Sequence, residues 1–418
     1  MSMQTADVIV IGAGMVGLSA AVAFAQQGFT VAVLEHKPSE LVDAVEDVRA
    51  LQLESYDPRV SALTCASQQF LDTLGAWPTM QTLRVNPYTD MDVWDGEGSG
   101  HIHFSSRDLH EPHLGHIVEN RVTVAALMKV AASLENLIWV SGVSVEAMSE
   151  PATDLTRQLS CSDGQQWLAS LVVAADGALS KVRQMASIPM WEWDYGHHAI
   201  VTTVTTEQAH QYTAWQRFTD DGPLAFLPLN DPYQCSIVWS TSPDHARDLM
   251  ALDDKAFCTA LAQNFEHRLG AILTVAERSV FPLRQRHAKY YVKAGLAMIG
   301  DAAHTIHPLA GQGVNLGLMD AAALVDAVVH ARDRGDQFAS ESVLLRYQRQ
   351  RQSANVQMSA GMEFFKQLFG HQHPWLKFIR NTGMNTLNTL SPVKQHIAMQ
   401  AMGLKGDLPT MARRKVGI

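Results

Sequence analysis

The chain has 418 residues, of which 47% are hydrophobic and 18% are charged, with a formal net charge of −10. This globular balance excludes a disordered, collagen-like or coiled-coil chain, and the length predicts two or three domains. No apolar run reaches the ~18 residues that a transmembrane helix needs, and the N-terminus does not resemble a secretory signal. The four cysteines are widely spaced and are expected to be reduced thiols. We therefore expect a cytoplasmic protein without a metal site.

Charge is distributed unevenly along the chain. Residues 351–418 contain nine basic and two acidic side chains, which leaves −17 on residues 1–350. An acidic body disfavours nucleic acid as a partner, whereas a basic C-terminal region can contact anionic lipid or an acidic protein. An ordinary solvated surface explains the same charge equally well.

The first element in the chain is a complete βαβ unit. A buried strand at 8–11 is followed by Gly12, Gly14 and Gly17, then by an alanine-rich helix and a second strand that closes on Glu35. In this spacing the glycines allow a tight turn, backbone approach to a pyrophosphate, and close packing of helix on strand. A carboxylate at Glu35 can bind ribose hydroxyls and disfavours the 2′-phosphate of NADP. The unit predicts a dinucleotide site but does not separate NAD from FAD.

The elements that follow include helices, strands and a middle region rich in strands. Helices are predicted at 67–74, 120–134 and 313–331, with a last helical region from 344 to the end. Strands are predicted at 139–145, at 171–175, where the strand is expected to be buried, and at 296–299, in the style of a parallel sheet. Between them, turn residues separate strand-like segments at 199–205, 213–218, 225–229 and 236–239. This middle region predicts a mainly antiparallel sheet.

A second glycine motif separates FAD from NAD. Gly300 and Asp301 end a predicted strand, and a glycine-rich stretch then opens a helix, with the residues Pro308, Gly311, Gln312, Gly313, Val314 and Asn315. An aspartate at a strand end can bind a polyhydroxyl chain, and a helix N-terminus favours the negative charge of a reduced flavin. Only FAD carries a ribityl chain, and only FAD is long enough to link two such distant segments.

These motifs resemble those of the class A flavin aromatic hydroxylases, and most closely the ubiquinone-biosynthesis hydroxylases. The resemblance spans nearly the whole chain and is carried by residues 12–17, 59–63, 114–120, 175–183 and above all 300–317 (GDAAHTIHPLAGQGVNLG). It implies an α/β fold with a βαβ FAD-binding domain of the glutathione-reductase and p-hydroxybenzoate-hydroxylase type. An antiparallel-sheet substrate domain and C-terminal helices complete the implied fold.

The resemblance also implies a set of cofactor-binding residues. Beyond those already named, they are Met15, Val16, Arg59, Asn120, Arg121, Val143, Asp176, Gly177 and Arg183. Three of these positions have simpler explanations. Asp176 could serve only the Asp-Gly turn, Arg59 could form a surface ion pair, and Asn120 could cap a helix.

The implied activity is ring hydroxylation by an FAD monooxygenase, in which reduced flavin captures O2 as a C4a-hydroperoxide. Within the family the resemblance is greatest to enzymes that hydroxylate a polyprenylphenol ortho to its hydroxyl group. NAD(P)H is the expected transient electron donor. No covalent catalyst is needed, and His307 and Arg217 are the candidate catalytic residues. Strands bearing Trp215, Phe218, Phe226 and Trp239 could wall the substrate pocket, although most such aromatics belong to cores.

Several alternatives share these motifs. The chain could act on another ring position of a ubiquinone precursor, or on a soluble phenol. It could be a flavin reductase of isoprenoid double bonds, or a flavoprotein scaffold of a quinone-synthesis assembly.

Three regions are predicted. The FAD-binding domain comprises 1–75, 105–185 and 285–350, the substrate domain 76–104 and 186–284, and the basic helical region 351–418. This last region carries apolar residues at helical spacing, at Met358, Met362, Phe365 and Phe369 and at Leu376, Ile379, Gly383, Leu387 and Leu390. Core packing explains such stripes. Together with the positive charge they also suggest peripheral contact with the inner membrane, where a polyprenyl substrate dissolves.

Overall fold

The computed structural model of the chain describes residues 3–39, 46, 49, 56–305, 313–370 and 374–414. Within these residues the strands are β1 Gln4–Ile11, β2 Val31–Glu35, β3 Val60–Leu63, β4 Asn86–Tyr88, β5 Asp90–Asp95, β6 His101–Ser105, β7 Gly115–Glu119, β8 Leu137–Ser141, β9 Val145–Met148, β10 Arg157–Cys161, β11 Gln166–Ala174, β12 Met190–Thr206, β13 Thr213–Thr219, β14 Gly222–Pro228, β15 Gln234–Thr241, β16 Ile272–Val275, β17 Ser279–Ala288, β18 Val292–Lys293, β19 Leu296–Met298 and β20 His304–Thr305.

The helices of the same part of the chain are α1 Met15–Gln26, α2 Cys65–Thr73, α3 Trp77–Leu83, α4 Asn120–Ala132, α5 Lys181–Met185, α6 Pro243–Ala251, α7 Asp254–Asn264, α8 Gly313–Asp333, α9 Glu341–Gly370, α10 Pro374–Thr389 and α11 Ser391–Ala401. Short 3-10 turns occur at Ser106–Leu109, Gly300–Ala302 and Thr410–Ala412.

The first sheet is built around the βαβ unit. Its strand order is β18-β19-β11-β1-β2-β8, and β1 lies parallel to both β2 and β11. The second half of β1 and all of β2 are buried, because parallel strands are covered on both faces and so form continuous apolar runs. Helix α1 packs against α4 and α8. The predicted βαβ fold is confirmed.

The strand predicted at 139–145 is wrong in its extent. Gly142 has a φ of +76° and turns the chain, so β8 ends at Ser141 and pairs with β2, whereas β9 begins at Val145 and pairs with β10. A positive φ costs little at glycine. One predicted strand is therefore divided between two strands with different partners.

The second sheet is mainly antiparallel, as the sequence predicts. Its order is β20-β17-β12-β15-β14-β13-β5-β6, with β16 paired to β12, and the β13–β5 pair is parallel. Strand β12 begins at Met190, earlier than predicted, because β17 continues beside it as far as Ala288. A third, small sheet has the order β3-β7-β4. The three-region division remains a prediction, and β17 runs through its boundary at 284–285.

The two faces of the second sheet differ. On the outer face, Ile200 and Val204 of β12 pack with helices α6 and α7 in one apolar cluster. On the opposite, inner face, Ala199 packs with Leu283, Tyr195 and Val238. Because side chains alternate between faces along a strand, the sheet has one face packed under helices and a second face turned towards other parts of the fold.

Helix α8 is the core helix of the first layer. Among the described residues it is the one helix whose length and apolar composition would suffice to cross a membrane, yet 67% of the relevant window is buried inside the protein. It lies between α1 and α9, which both pack against it. Burial against these helices explains its apolar composition.

The basic C-terminal region is docked on the acidic body. Lys394 lies 3.3 Å from Asp108, and Arg414 forms a two-pronged ion pair with Glu111 at 2.7 and 2.9 Å. Helix α10 packs on β6, and the 410–412 turn packs on α2 and α8. The side chains of Met362, Phe365, Phe369, Leu376, Ile379 and Leu387 lie outside the described residues.

Candidate active site

The glycine loop between β1 and α1 is shaped by close backbone contacts. Gly12 has a φ of +101°, and a Cβ there would lie 2.5 Å from the carbonyl oxygen of Ala175. A Cβ at Gly17 would lie 2.0 Å from the carbonyl oxygen of Gly12, whereas a Cβ at Gly14 would meet no atom within 4 Å. The loop therefore leaves open space beside Gly14 at the N-terminus of α1, where backbone N–H groups can bind a diphosphate.

Glu35 ends β2 beside this loop. Its Oε2 accepts the backbone N–H of Ala13 at 2.7 Å, and its Oε1 accepts that of Lys37 at 2.9 Å. The buried Val143 donates its backbone N–H to the carbonyl oxygen of Glu35 at 3.0 Å. These contacts hold the carboxylate against the glycine loop, at the position where ribose hydroxyls would be bound.

The second glycine motif lies directly against the first. Gly300 has a φ of +58°, and a Cβ there would lie 3.2 Å from the side chain of Val16. A Cβ at Gly317 in α8 would lie 2.6 Å from the same valine. Val16 and Met15, both half-buried, form the first turn of α1. One cofactor can therefore touch both motifs, and because they are adjacent in space, contact with both does not by itself require the length of FAD.

Asp301 lies in the 3-10 turn after β19 with its side chain exposed. The surrounding protein nevertheless desolvates this carboxyl group and raises its pKa, an effect that His304 and Arg286 partly oppose. A solvent-accessible but desolvated carboxylate lies in a cleft, as a group that binds the ribityl hydroxyls must. Gly313 and Val314 open α8 nearby in the sequence and are half-buried. Outside the described residues lie Pro308, Gly311, Gln312 and the candidate catalytic residue His307.

The side chain of Asn315 is engaged by protein groups. Its Nδ2 donates to the carbonyl oxygen of Ala62 at 2.8 Å, and its Oδ1 accepts from the Thr64 backbone and the Ser67 hydroxyl at 3.0 and 2.7 Å. This buried amide ties the start of α8 to the β3–α2 connection. A contact between Asn315 and the cofactor would therefore involve its backbone.

Arg59 and Asn120 meet at the small sheet. The Arg59 guanidinium lies 5.4 Å from the ring centroid of Phe281 in β17, and its carbonyl oxygen accepts the Asn120 backbone N–H at 2.9 Å. The Asn120 Oδ1 accepts from the Ser61 hydroxyl at 2.6 Å. Glu119, not Asn120, occupies the N-cap of α4, so the capping explanation for Asn120 is wrong.

Glu119 is a buried carboxylate that sequence analysis missed. Its Oε1 accepts from Arg121 at 2.7 Å and from the Asp57 backbone N–H at 2.6 Å, and its Oε2 lies 3.2 Å from Arg84. The predicted site residue Arg121 is thus held by Glu119. Two arginines around one carboxylate were not foreseeable, because Arg84 is distant in sequence.

Asp176 and Arg183 flank the turn after β11. The Asp176 Oδ2 accepts the Val182 backbone N–H at 3.2 Å, and Gly177 adopts a φ of +82°, so the residues do form a structural turn. Yet the Asp176 Oδ1 and the Arg183 Nε are buried without a hydrogen-bond partner among the described residues. Such orphaned groups are costly unless a ligand or water satisfies them. This pattern fits a cofactor at the end of the sheet.

A buried network behind Gly300 was also missed. Asp320 in α8 is fully buried, and its Oδ2 accepts from His304 Nε2 at 2.5 Å and from the Gly300 backbone N–H at 3.2 Å. Its Oδ1 accepts from Arg351 at 2.8 Å and from Asn355 at 3.2 Å. Burial alone would raise the pKa of Asp320, but His304 and Arg351 outweigh it and lower that pKa to about 2.

This network fixes the segment that carries Asp301. The Asp320 carboxylate bonds on both sides of Asp301, to Gly300 before it and to His304 after it. The sequence contained one signal, namely an aspartate within the otherwise apolar run 316–325. A lone buried carboxylate is costly without partners, but the sequence could not say which residues those partners are.

Arg217 lies away from these motifs. It pairs with Glu266 at 3.3 Å and donates to the carbonyl oxygens of Asn264 and Gly96. These contacts bind the end of α7 to the sheet and argue against Arg217 as a catalytic candidate. As expected for most of these aromatics, Phe226 and Trp239 belong to the outer-face core, and Trp215 packs against it. Phe218 instead packs with Val93 on the other face.

A polar cavity of about 330 Å³ opens beside Arg217's partner Glu266. No predicted cofactor residue lines it; the lining residues are Trp94, Asp95, Gly98, Ser99, Gly100, His101, Glu266 and Arg268. This cavity is therefore separate from the glycine motifs.

Comparison with known proteins gives a consistent family. A family model described as an FAD binding domain matches residues 5–360. The 3-demethoxyubiquinol 3-hydroxylase of Escherichia coli (strain K12) is 39% identical over 406 residues, covering 97% of this chain and 100% of that protein. The mitochondrial ubiquinone biosynthesis monooxygenase COQ6 of Xenopus tropicalis is 33% identical, covering 94% of this chain and 92% of that protein.

Solved structures support the fold. The p-nitrophenol 4-monooxygenase PnpA from Pseudomonas putida DLL-E4 superposes with a TM-score of 0.77 at 20% identity, covering 97% of this chain and 100% of that chain. At this identity the similarity shows the fold alone and does not identify the substrate.

Proposed function

We propose that this chain, which belongs to the FAD-dependent hydroxylases of ubiquinone biosynthesis, hydroxylates the ring of a polyprenylated benzoquinol, a late ubiquinone precursor. The observation that carries the proposal is the full-length similarity to the Escherichia coli 3-demethoxyubiquinol 3-hydroxylase. The resemblance seen in the sequence implied a reaction on a polyprenylphenol, ortho to its hydroxyl group. The name of this relative favours the alternative considered there, hydroxylation at another ring position.

Residues from both glycine motifs, together with Glu35 and Arg59, would hold FAD. The glycine loop offers backbone N–H groups to the diphosphate, Glu35 binds ribose hydroxyls and Asp301 binds the ribityl chain. Arg59, whose guanidinium lies over Phe281, would pair with phosphate or the flavin edge. When bound, FAD supplies an electrophilic oxygen drawn from O2, with electrons from NAD(P)H.

The substrate ring needs little help from acid–base groups. A phenolic oxygen donates electron density to its ortho and para carbons, so the protein's tasks are to orient the ring and exclude water. The inner face of the second sheet offers apolar side chains for this, notably Leu283, Ala199 and Val238. We assign no catalytic side chain.

The proposal includes a peripheral position on the inner membrane. Lys394 and Arg414 are paired with acidic residues of the body. The basic charge of the C-terminal region therefore supports membrane contact less than its apolar surface does. Leu390, Val393 and Ile397 are exposed at helical spacing beside and along α11, and such a stripe can enter a lipid interface. Membership of a quinone-synthesis assembly remains a compatible role.

The deciding experiment is mass spectrometry of quinone lipids from a strain that lacks this chain. The proposal expects depleted ubiquinone and accumulation of the demethoxy precursor, reversed by the wild-type gene. Accumulated polyprenylphenol would instead restore the first ring assignment. Unchanged ubiquinone, with turnover of small soluble phenols by the purified flavoprotein, would contradict membership of the pathway. Complementation by a flavin-free variant would favour the scaffold role.

A further inference from the structure

A row of aromatic side chains lies on the inner face of the second sheet. In the β12–β17 register Trp191 is opposite His287 and Trp193 is opposite Gln285. The Tyr195 hydroxyl donates to the Gln285 side chain. Directly opposite residues of an antiparallel pair share a face, as do alternate residues of one strand. Trp191 and Trp193 therefore share a face. The register shifts between Asp194 and His197, but the contacts of Tyr195 with Gln285 and Leu283 place it next in the same row.

The row passes from solvent into the protein. Trp191 is 55% exposed and Trp193 43%, whereas Tyr195 is only 5% exposed. Tyr195 belongs to the buried cluster with Ala199 and Leu283. Two neighbouring exposed tryptophans on one sheet face are unusual surface for a protein in water and indicate a contact site.

Segments that we assign to FAD adjoin the row at both ends, near Phe281 beyond the buried Tyr195 and at His287, on which the exposed Trp191 stacks. Phe281, on the same face of β17 as Leu283, lies under the Arg59 guanidinium. At the edge, His287 is opposite His304 of β20, and His304 lies close behind Asp301 in the chain. The row therefore connects solvent with the region where the substrate ring would meet the flavin.

The chemistry of the row suits a hydrocarbon. The Trp191 ring stacks on His287 at 6.3 Å with an interplanar angle of 14°, and the Tyr195 hydroxyl is satisfied by Gln285. Charged groups of the same strands lie on the opposite face, where Glu192 pairs with Arg284 and Arg286 at 3.2 and 3.0 Å. Among the described residues the row itself thus carries no charged side chain, and the Arg59 guanidinium lies beyond its buried end, at Phe281.

We infer that the row formed by Trp191, Trp193 and Tyr195 binds the polyprenyl tail of the substrate and guides its ring to the flavin. This inference rests on the proposed function, which supplies a substrate with one polar ring and one long hydrocarbon tail. The exposed part of the row, from Trp191 to Trp193, spans roughly 7 Å along the strand, and the tail would lie across it. The tail would leave the protein at the exposed tryptophans.

The test uses the FAD-loaded protein and two soluble probes with the same demethoxybenzoquinol ring, one carrying a two-isoprene tail and one a methyl group. Binding is followed by the perturbation of the flavin absorbance. Wild type should bind the tailed probe more tightly. The Trp191→Ala/Trp193→Ala variant should bind it at least about tenfold more weakly, since it loses large apolar contacts, and should bind the methyl probe unchanged.

Matched controls separate the tail site from general damage. Tyr233→Ala removes a similarly exposed aromatic near Thr206, at the other end of β12, and should leave both affinities unchanged. Trp191→Phe/Trp193→Phe keeps an aromatic surface and should largely restore tail binding. If the double alanine variant does not fold, the single variant Trp193→Ala is measured instead and should lose affinity for the tailed probe but not for the methyl probe.

Three results would overturn the inference. The double alanine variant could bind both probes like wild type, or lose both equally while it retains FAD. It could also bind both probes normally but lose flotation with phosphatidylcholine vesicles, which would make the tryptophans a membrane contact. A wild-type protein that binds the tailed probe but never hydroxylates it would contradict the proposed reaction and leave the tail site standing.

Discussion

Asp320 shows how one side chain can organise a cofactor segment from behind. The carboxylate is fully buried and bonded to His304, Arg351, Asn355 and the Gly300 backbone. A buried charge is tolerated only when paired and hydrogen-bonded. Here the partners come from β19, β20 and α9, so the same bonds that satisfy Asp320 hold the Gly300–Ala302 turn in place.

Replacing Asp320 by Asn should destabilise the fold by roughly 3 kcal/mol at pH 7, because Arg351 is left buried without its counter-charge. The folded-state pKa of Asp320, about 2, lies below the ordinary value of 3.8. Its stabilising effect is therefore full above about pH 4 and is lost as pH falls towards 2. Urea unfolding between pH 2 and 7 would measure this dependence, which the variant should lack.

The matched control for this prediction is Asp333→Asn in the same helix. Asp333 pairs with Arg332 at the surface, and an exposed pair contributes less than about 1 kcal/mol. Equal stability of both variants at pH 7 would contradict the role given to Asp320.

Asp301→Ala should lose FAD without losing the fold. The carboxyl group is desolvated, which raises its pKa, so its removal should change the stability of the apoprotein by no more than about 1 kcal/mol. FAD affinity should fall at least about tenfold through lost charge-assisted hydrogen bonds. The Asp301→Asn variant should lose less FAD affinity than Asp301→Ala. Flavin absorbance of the purified variants, beside thermal unfolding of the apoproteins, measures both. Wild-type flavin content in Asp301→Ala would refute the ribityl assignment.

At the scale of elements, the β1–α1 connection separates packing from binding. Gly17 and Gly12 are needed because backbone lies within 2.5 Å of where a Cβ would stand. Gly14 has ordinary φ and ψ angles and open space around it. The same motif therefore contains glycines that build the fold and one that serves the ligand.

Gly14→Ala and Gly17→Ala should consequently differ. Gly17→Ala should destabilise the apoprotein by about 3 kcal/mol or more, because α1 must move away from β1. Gly14→Ala should cost no more than about 1 kcal/mol, yet its methyl group would enter the diphosphate space and weaken FAD binding at least about tenfold. Chemical denaturation of the apoproteins and FAD titration give the two values. A large loss of stability in Gly14→Ala would contradict this division.

At the scale of the whole molecule, charge asymmetry is resolved within the chain. The acidic body and the basic C-terminal region meet through Glu111–Arg414 and Asp108–Lys394. In these two pairs, the opposite charges of the two regions hold the C-terminal region on the body. The apolar residues Leu390, Val393 and Ile397 are left exposed on this region.

Vesicle flotation should consequently depend on apolar surface more than on charge. Changing Leu390, Val393 and Ile397 together to Ser should reduce binding to vesicles at least about tenfold, whereas Leu273→Ser, an exposed leucine in β16, should not. Binding to neutral and anionic vesicles should be similar, and salt should weaken it little. Absence of wild-type binding to either kind at low salt would refute the membrane contact.

Parts of the fold were predictable because their causes are local. The βαβ unit, the antiparallel sheet and helices such as α8 follow from apolar periodicity and from glycines at fixed spacing. The same reasoning failed at Gly142, where a turn splits one predicted strand. For Trp215, Phe226 and Trp239 it anticipated that most such aromatics are core residues, but periodicity does not reveal on which face of a sheet a buried residue lies.

By itself the sequence determined the class of cofactor site and the family, because phosphate binding needs glycines and an acidic residue at set distances along one βαβ unit. Tertiary structure alone decided which distant groups share a carboxylate at Asp320 and Glu119, and where Arg217 points. It also placed Trp191 and Trp193 in one row with Tyr195. Such partnerships depend on strand register and helix packing across hundreds of residues, and no local spacing records them.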